Sequence, residues 1–220
     1  MRILIINPNS TASMTELVAT EAKSIAADQT EIFAVNPTDS PPAIQGADDG
    51  EAALPHLIDL FDQQVAEHDF DAAVIACFDD TGLWELKGRA GIPVVGIGEA
   101  GFHAAMLFGS RFTVITTLPA SVPVIEGNIK RQGMLERCAE VRATNIPVLE
   151  LEAKPEASVK RISEEIDAAL DSGKCDSIVL GCAGMADIAE HLQSKYAVPI
   201  VDGVKAAIGL CETLHKVQPR

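Results

Sequence analysis

One pattern written twice constrains this chain more than any other feature. Arg2-Ile3-Leu4-Ile5-Ile6 is answered by Arg111-Phe112-Thr113-Val114-Ile115 at an offset of 109. The apolar run Ala72 to Ala76 closes on Cys77, and the run Ser177 to Gly181 closes on Cys182, at an offset of 105. Ile92-Pro93-Val94-Val95 is matched by Val198-Pro199-Ile200-Val201 at an offset of 106. Three landmarks in one order, at nearly one spacing, point to duplicated halves of about 100 residues each.

Strand-like and helix-like segments alternate between these landmarks. Arg2 to Ile6 is bounded by the turn signal Asn7-Pro8-Asn9-Ser10, and a helix is expected from about Ala12 to Ala27. Ile32 to Val35 reads as a strand, Thr38 to Gly50 as a Pro-, Asp- and Gly-rich loop, and Glu51 to His68 as an amphipathic helix. Short buried strands follow at Ala72 to Ala76 and Pro93 to Ile97. In the second half, Phe112 to Thr116 is a strand and a helix follows Pro119. Arg142 to Leu149 reads as extended, Glu156 to Leu170 as a helix, and Ser177 to Leu180 and Pro199 to Val201 as strands. Apolar strands separated by helices predict an α/β fold with parallel sheets covered on both faces. Two pseudo-symmetric domains of this kind, facing each other across a cleft, are the expected architecture.

Ligands in such sheets sit beyond the carboxyl ends of the strands, where both repeated cysteines lie. Facing halves would place Cys77 and Cys182 on opposite sides of one cleft. Racemisation at an acidic carbon needs that arrangement: one group removes a proton from one face while another delivers a proton to the other. A thiol suits the task when its pKa is drawn down from about 8.5, and the helix starts expected after each cysteine would do so. Asp79 and Asp80 act in the opposite sense, so the two thiols are expected to differ in resting protonation. Packing as a small hydrophobe is the competing reading of any buried cysteine. Spacing alone leaves both readings open for Cys77 and Cys182, and packing is the better one for Cys138, Cys175 and Cys211.

Composition narrows the partners. A formal charge of −15 repels phosphate backbones and anionic bilayers, so neither nucleic acid nor membrane is expected. The first apolar run, Ile3 to Ile6, is too short for a signal-peptide core, and a cytoplasmic location is expected. The five cysteines form no CxxC or Cys/His cluster, which argues against both a disulfide framework and a metal site.

The motifs resemble the hydantoin/allantoin racemase branch of the aspartate/glutamate racemase superfamily. The resemblance is carried by Asn7-Pro8-Asn9-Ser10, Ala76-Cys77-Phe78-Asp79-Asp80-Thr81-Gly82-Leu83 and Pro93-Val94-Val95-Gly96-Ile97. It continues through Phe112-Thr113-Val114-Ile115-Thr116-Thr117, Leu180-Gly181-Cys182-Ala183-Gly184-Met185-Ala186 and Val201-Asp202-Gly203-Val204. It implies a cofactor-free isomerase in which Cys77 and Cys182 act as the acid/base pair on 5-monosubstituted hydantoins, allantoin among them. It also implies homo-oligomers, and a last helix that returns to the first domain. The domains are then residues 1–98 with 204–220, and residues 99–203. Thr81 departs from the family's pattern, in which Pro is more usual, and the turn after Cys77 is therefore open.

A hydantoin is neutral, so its site needs hydrogen bonds and no cationic clamp. Asn9, Ser10, Thr116 and Thr117 in the strand-end loops, with Phe78, Asp79, Ala183 and Gly184 beside the cysteines, are the candidate substrate contacts. Ordinary turn and cap chemistry is the alternative for each polar one. An amino-acid racemase and a maleate-type cis–trans isomerase are further readings of the same scaffold. A thiol redox sensor is the non-enzymatic one. Gly96-Ile97-Gly98-Glu99-Ala100-Gly101 follows the fourth strand of its half and reads as a strand-to-helix turn, not a dinucleotide loop. Asp202 and Glu99 could line the cleft, and Trp84 could pack near the Cys77 loop or border the substrate.

Overall fold

Ile3 and Ile5 turn to one side of the first strand and Leu4 and Ile6 to the other, and all four are fully buried. A strand apolar on both faces must be covered on both. In the computed structural model, which describes residues 1–89 and 91–217, this strand is β1 (Arg2–Ile6). It lies in a parallel sheet with β2 (Glu31–Val35), β3 (Ala72–Ile75) and β4 (Val94–Gly96), in the order β2-β1-β3-β4. The second half repeats that order. Its sheet is β6-β5-β7-β8, built from β5 (Phe112–Thr116), β6 (Cys138–Ala143), β7 (Ser177–Gly181) and β8 (Ile200–Asp202).

The helices are α1 (Ala12–Ile25), α2 (Ala47–Glu67), α3 (Leu83–Leu86), α4 (Ile97–Phe108), α5 (Val122–Arg131), α6 (Val148–Ala153), α7 (Pro155–Asp171), α8 (Ala189–Lys195) and α9 (Gly203–Val217). The outer face of the first sheet, with Leu4, Ile6, Ala73 and Ile75, packs on Leu57 and Phe61 of α2. The outer face of the second, with Ile115, Ile178 and Leu180, packs on Ile162 and Ile166 of α7 and Leu192 of α8. The inner faces share one core. Ile3, Ile5 and Val74 from the first sheet join Phe112, Val114 and Val179 from the second around α1, α4 and α9. An aromatic file runs through it: Phe78 meets Phe102 edge-on at 5.5 Å, and Phe102 stacks on Phe112 at 5.8 Å.

Helix α9 buries Val204, Ala207, Ile208 and Cys211 in this shared core and packs on α1 and α4. Glu212 ties it to the α1–β2 turn by accepting the Ala27 amide at 2.9 Å and the Thr30 hydroxyl at 2.6 Å. Close approach to α4 requires Gly203, where a Cβ would lie 2.3 Å from the Ile97 carbonyl oxygen.

Two segments differ from expectation. Helix α2 begins at Ala47, inside the expected loop, because Asp49 accepts the Gln45 amide and Asp48 and Asp49 sit at the positive helix end. Arg142 to Leu149 is not one extended segment: β6 ends at Ala143, and Val148 opens α6. Its apolar residues alternate as in a strand, but Val148 and Leu151 are buried while Leu149 is 45% exposed, which is helical spacing. Among the described residues, no helix is long and apolar enough to cross a membrane.

Candidate active site

Cys77 lies two residues beyond the end of β3 and Cys182 directly beyond β7, which occupy the same place in their sheets. Both line one small cavity between the halves. The backbone at each strand end is tightly specified. A Cβ at Gly181 would meet the Ile115 carbonyl oxygen at 2.9 Å, so only glycine lets β7 deliver Cys182 beside β5.

The expected lowering of the thiol pKa values is not found. Burial pushes Cys182 up to about 12; the Gly184 amide hydrogen bond pulls it down, and the Asp79 carboxylate adds to the rise. Cys77 is driven further upward, first by burial and then by Asp79, with Cys182 contributing; the Thr81 hydroxyl and the Asp79 amide resist. Cys77 is raised further than Cys182, but both rest well above neutrality, so the expected difference in resting protonation does not follow. Helix starts do little here: Cys182 precedes a 3-10 helix, Ala183–Ile188, and Cys77 a turn leading to the single turn of α3.

Asp79 lines the cavity and is pinned from the other half of the molecule. Its Oδ2 accepts the Ser121 hydroxyl at 3.0 Å, and its main-chain oxygen accepts Asn128 Nδ2 at 2.8 Å. Burial raises its carboxyl to about 7 against the Ser121 and Gly46 donors, and Asp49 adds to the rise. Asp80, in contrast, points away. Its Oδ1 accepts the Gly98 amide at 2.9 Å and its Oδ2 the Glu99 amide at 2.8 Å, capping α4.

Asn9 is 4% exposed and lines the cavity. Its Oδ1 accepts the Thr11 amide at 2.9 Å and Asn7 Nδ2 at 3.0 Å, while its own Nδ2 has only the Met14 sulfur, at 3.7 Å. That amide is a strong donor with a weak partner. Thr117, Phe78 and Ala183 also line the cavity. Ser10, Thr116 and Gly184 do not join them: Ser10 gives its amide to Pro41, the Thr116 hydroxyl bonds to the Gly181 carbonyl within the sheet, and Gly184 touches the Cys182 sulfur instead.

Asp202 and Glu99 lie outside the cavity. Asp202 caps α9 through the Val204 amide, and Glu99 pairs with Lys87 at 2.7 Å. Trp84 is likewise outside, its ring beneath the Arg131 guanidinium at 4.3 Å. Sequence reasoning missed the apolar roof: Met14, Ile44 and Val148, with Met14 and Val148 packed against Cys182. Ile44 sits in the connection between β2 and α2, and a long connection after a sheet strand is itself a signal of a site-covering segment. Ser121 was also missed. Among the described residues, no group of three or more His, Cys, Asp and Glu converges as metal ligands would.

Residues 3–211 match the family model described as Asp/Glu/Hydantoin racemase. The chain belongs to this racemase family. A hydantoin racemase from Rhizobium meliloti is 42% identical over 214 residues, covering 97% of this chain and 88% of that protein. Two solved allantoin racemases superpose with TM-scores of 0.95. The Klebsiella pneumoniae protein is 35% identical, over 99% of this chain and 88% of that one. The Pseudomonas fluorescens protein is 37% identical, over 99% of this chain and 92% of that one. Family membership extends across both cysteine motifs, and the family's two-domain α/β fold accounts for the paired sheets.

Proposed function

We propose that this chain racemises 5-monosubstituted hydantoins, allantoin included, without a cofactor, with Cys77 and Cys182 as alternating base and acid. One observation carries the reading: the two thiols stand at equivalent strand ends and line the same small cavity. A planar ring between them presents the hydrogen on its C5 to one sulfur and its opposite face to the other. The carbanion delocalises onto the adjacent carbonyl, and Asn9 Nδ2 and the Thr117 hydroxyl are the donors suited to the developing oxyanion.

The lining also favours a neutral substrate. Among the described residues it includes no Lys or Arg, and it includes the Asp79 carboxyl. An amino-acid carboxylate would face that anion without a cation to hold it, which weighs against the amino-acid racemase. Asp79 raises both thiols and Cys182 raises Cys77, so charging both sulfurs at once is disfavoured. One thiolate and one thiol are what a two-base racemase requires at the start of each turnover.

The five free thiols suit a reducing compartment, in keeping with a cytoplasmic enzyme. Leu107 and Phe108, 85% and 67% exposed at the end of α4, support burial against other copies in a homo-oligomer. The deciding experiment follows proton exchange at C5 of L- and D-hydantoins and of allantoin in heavy water, by NMR together with optical rotation. Exchange accompanied by loss of rotation, dependent on both cysteines, is the expected result. No exchange above the spontaneous rate on any hydantoin would overturn the proposal, and maleate would be tested next.

A further inference from the structure

We infer that Thr81 is a positioning residue for Cys77, its hydroxyl holding the sulfur and supporting the thiolate that would abstract the substrate proton. This rests on the reading of Cys77 as an acid/base group.

Thr81 Oγ1 donates to Cys77 Sγ at 3.6 Å, from a side chain that is only 9% exposed. The turn that presents it leaves little freedom. Asp80 gives its amide to the Cys77 carbonyl at 3.0 Å and adopts φ 50°, while both its carboxylate oxygens are held by the first amides of α4. Gly82 follows at φ 71°, with Leu57 Cδ2 standing 2.5 Å from where a Cβ would be. Thr81 is thus held between an anchored residue and a glycine in the left-handed region. The result brings a hydroxyl four residues on back over the sulfur.

The two thiols are supported differently. Cys182 is approached by the Gly184 amide, and among the described residues no side-chain hydroxyl donates to it. Cys77 carries the greater electrostatic load, from Asp79 and from Cys182, and it is the thiol given the hydroxyl. A hydroxyl also serves both states of a residue that alternates roles: it donates to a thiolate and accepts from a thiol.

The test compares Thr81→Val, Thr81→Ala and Thr81→Ser with the unaltered protein. The rate of iodoacetamide labelling is measured at Cys77 and Cys182 separately, by peptide mass spectrometry from pH 7 to 10, alongside the pH profile of kcat/KM. Loss of the hydroxyl is expected to slow Cys77 labelling about tenfold at a given pH, equivalent to about one pKa unit. Cys182 labelling should stay within about twofold, and the limb of the activity profile should move upward in pH with Cys77. Thr81→Ser should restore both. Thr81→Ala supplies a second hydroxyl-free variant should the valine not fold. Unchanged Cys77 labelling in the folded hydroxyl-free variants, an equal shift at Cys182, or failure of serine to rescue would each overturn the inference. Full racemase activity in Cys77→Ala would instead overturn the functional reading on which it rests.

Discussion

Asp80 caps a helix that begins well beyond it in sequence: its Oδ1 accepts the Gly98 amide at 2.9 Å, across a separation of 18 residues. The second oxygen takes the Glu99 amide. The turn after Cys77 is thereby fastened to α4, the helix at the centre of the core shared by both halves. This explains the Gly96-Ile97-Gly98 spacing. A Cβ at Gly96 would lie 2.0 Å from Asp80 Oδ1, and one at Gly98 would lie 2.5 Å from the Phe78 carbonyl oxygen.

Breaking that fastening should cost stability and loosen Cys77 together. Asp80→Ala removes a helix cap and strands two amides, for an expected loss of about 2–4 kcal/mol in urea unfolding. Gly98→Ala, through the clash alone, should cost about 1–3 kcal/mol. An unchanged unfolding midpoint in Asp80→Ala would show that the cap carries no load.

Asp79 should govern the pH dependence. Its charge raises both thiols, so Asp79→Asn is expected to move the acid limb of the kcat/KM profile to lower pH. Stability should respond as well. The folded carboxyl, raised to about 7, holds its proton more tightly than the unfolded one with its ordinary value of 3.8. Between these values the native state binds more protons, so stability falls as pH rises through that window, and in Asp79→Asn the slope should become shallower by this contribution. Parallel unfolding curves for the two proteins from pH 4 to 7.5 would contradict the assignment.

Removing one thiol should separate exchange from racemisation. Cys77→Ala and Cys182→Ala are each expected to lose racemisation by about 10²–10⁴-fold while remaining folded. Each should retain some C5 proton exchange, with retention of configuration, on the one enantiomer whose hydrogen faces the remaining sulfur. The two variants should prefer opposite enantiomers. Equal exchange of both enantiomers in either variant would mean that the cysteines do not stand on opposite faces.

Gln45 bridges the roof. Its Oε1 accepts the Val148 amide at 2.9 Å, joining the loop before α2 to the start of α6 above Cys182. Gln45→Ala should raise KM for a hydantoin by a few-fold to about tenfold, the effect of losing a cap of about 1 kcal/mol, with kcat changed less. A change confined to kcat would place Gln45 in the chemistry and not in closure.

What could be read in the residues alone was whatever repeats or alternates. The β1/β5 and β3/β7 correspondences, the parallel order and the cysteines at equivalent strand ends follow from local apolar pattern and spacing, which one-dimensional order preserves. Asn9, Thr117 and Asp79 were legible as candidates because strand ends face the cleft in any sheet of this kind. Three decisions belonged to the tertiary structure. Thr116 and Thr117 are neighbours on one strand end, yet one hydroxyl bonds within the sheet and the other residue lines the cavity, because alternate side chains point to opposite faces and only the fold says which is occupied. Met14, Ile44, Ser121 and Val148 meet over Cys182 and Asp79 from segments distant in sequence, and no local pattern announces that meeting. The thiol pKa values rise where helix ends suggested a fall, because desolvation depends on how completely the two halves close over the sulfurs, a property of the closed cavity and not of any single segment.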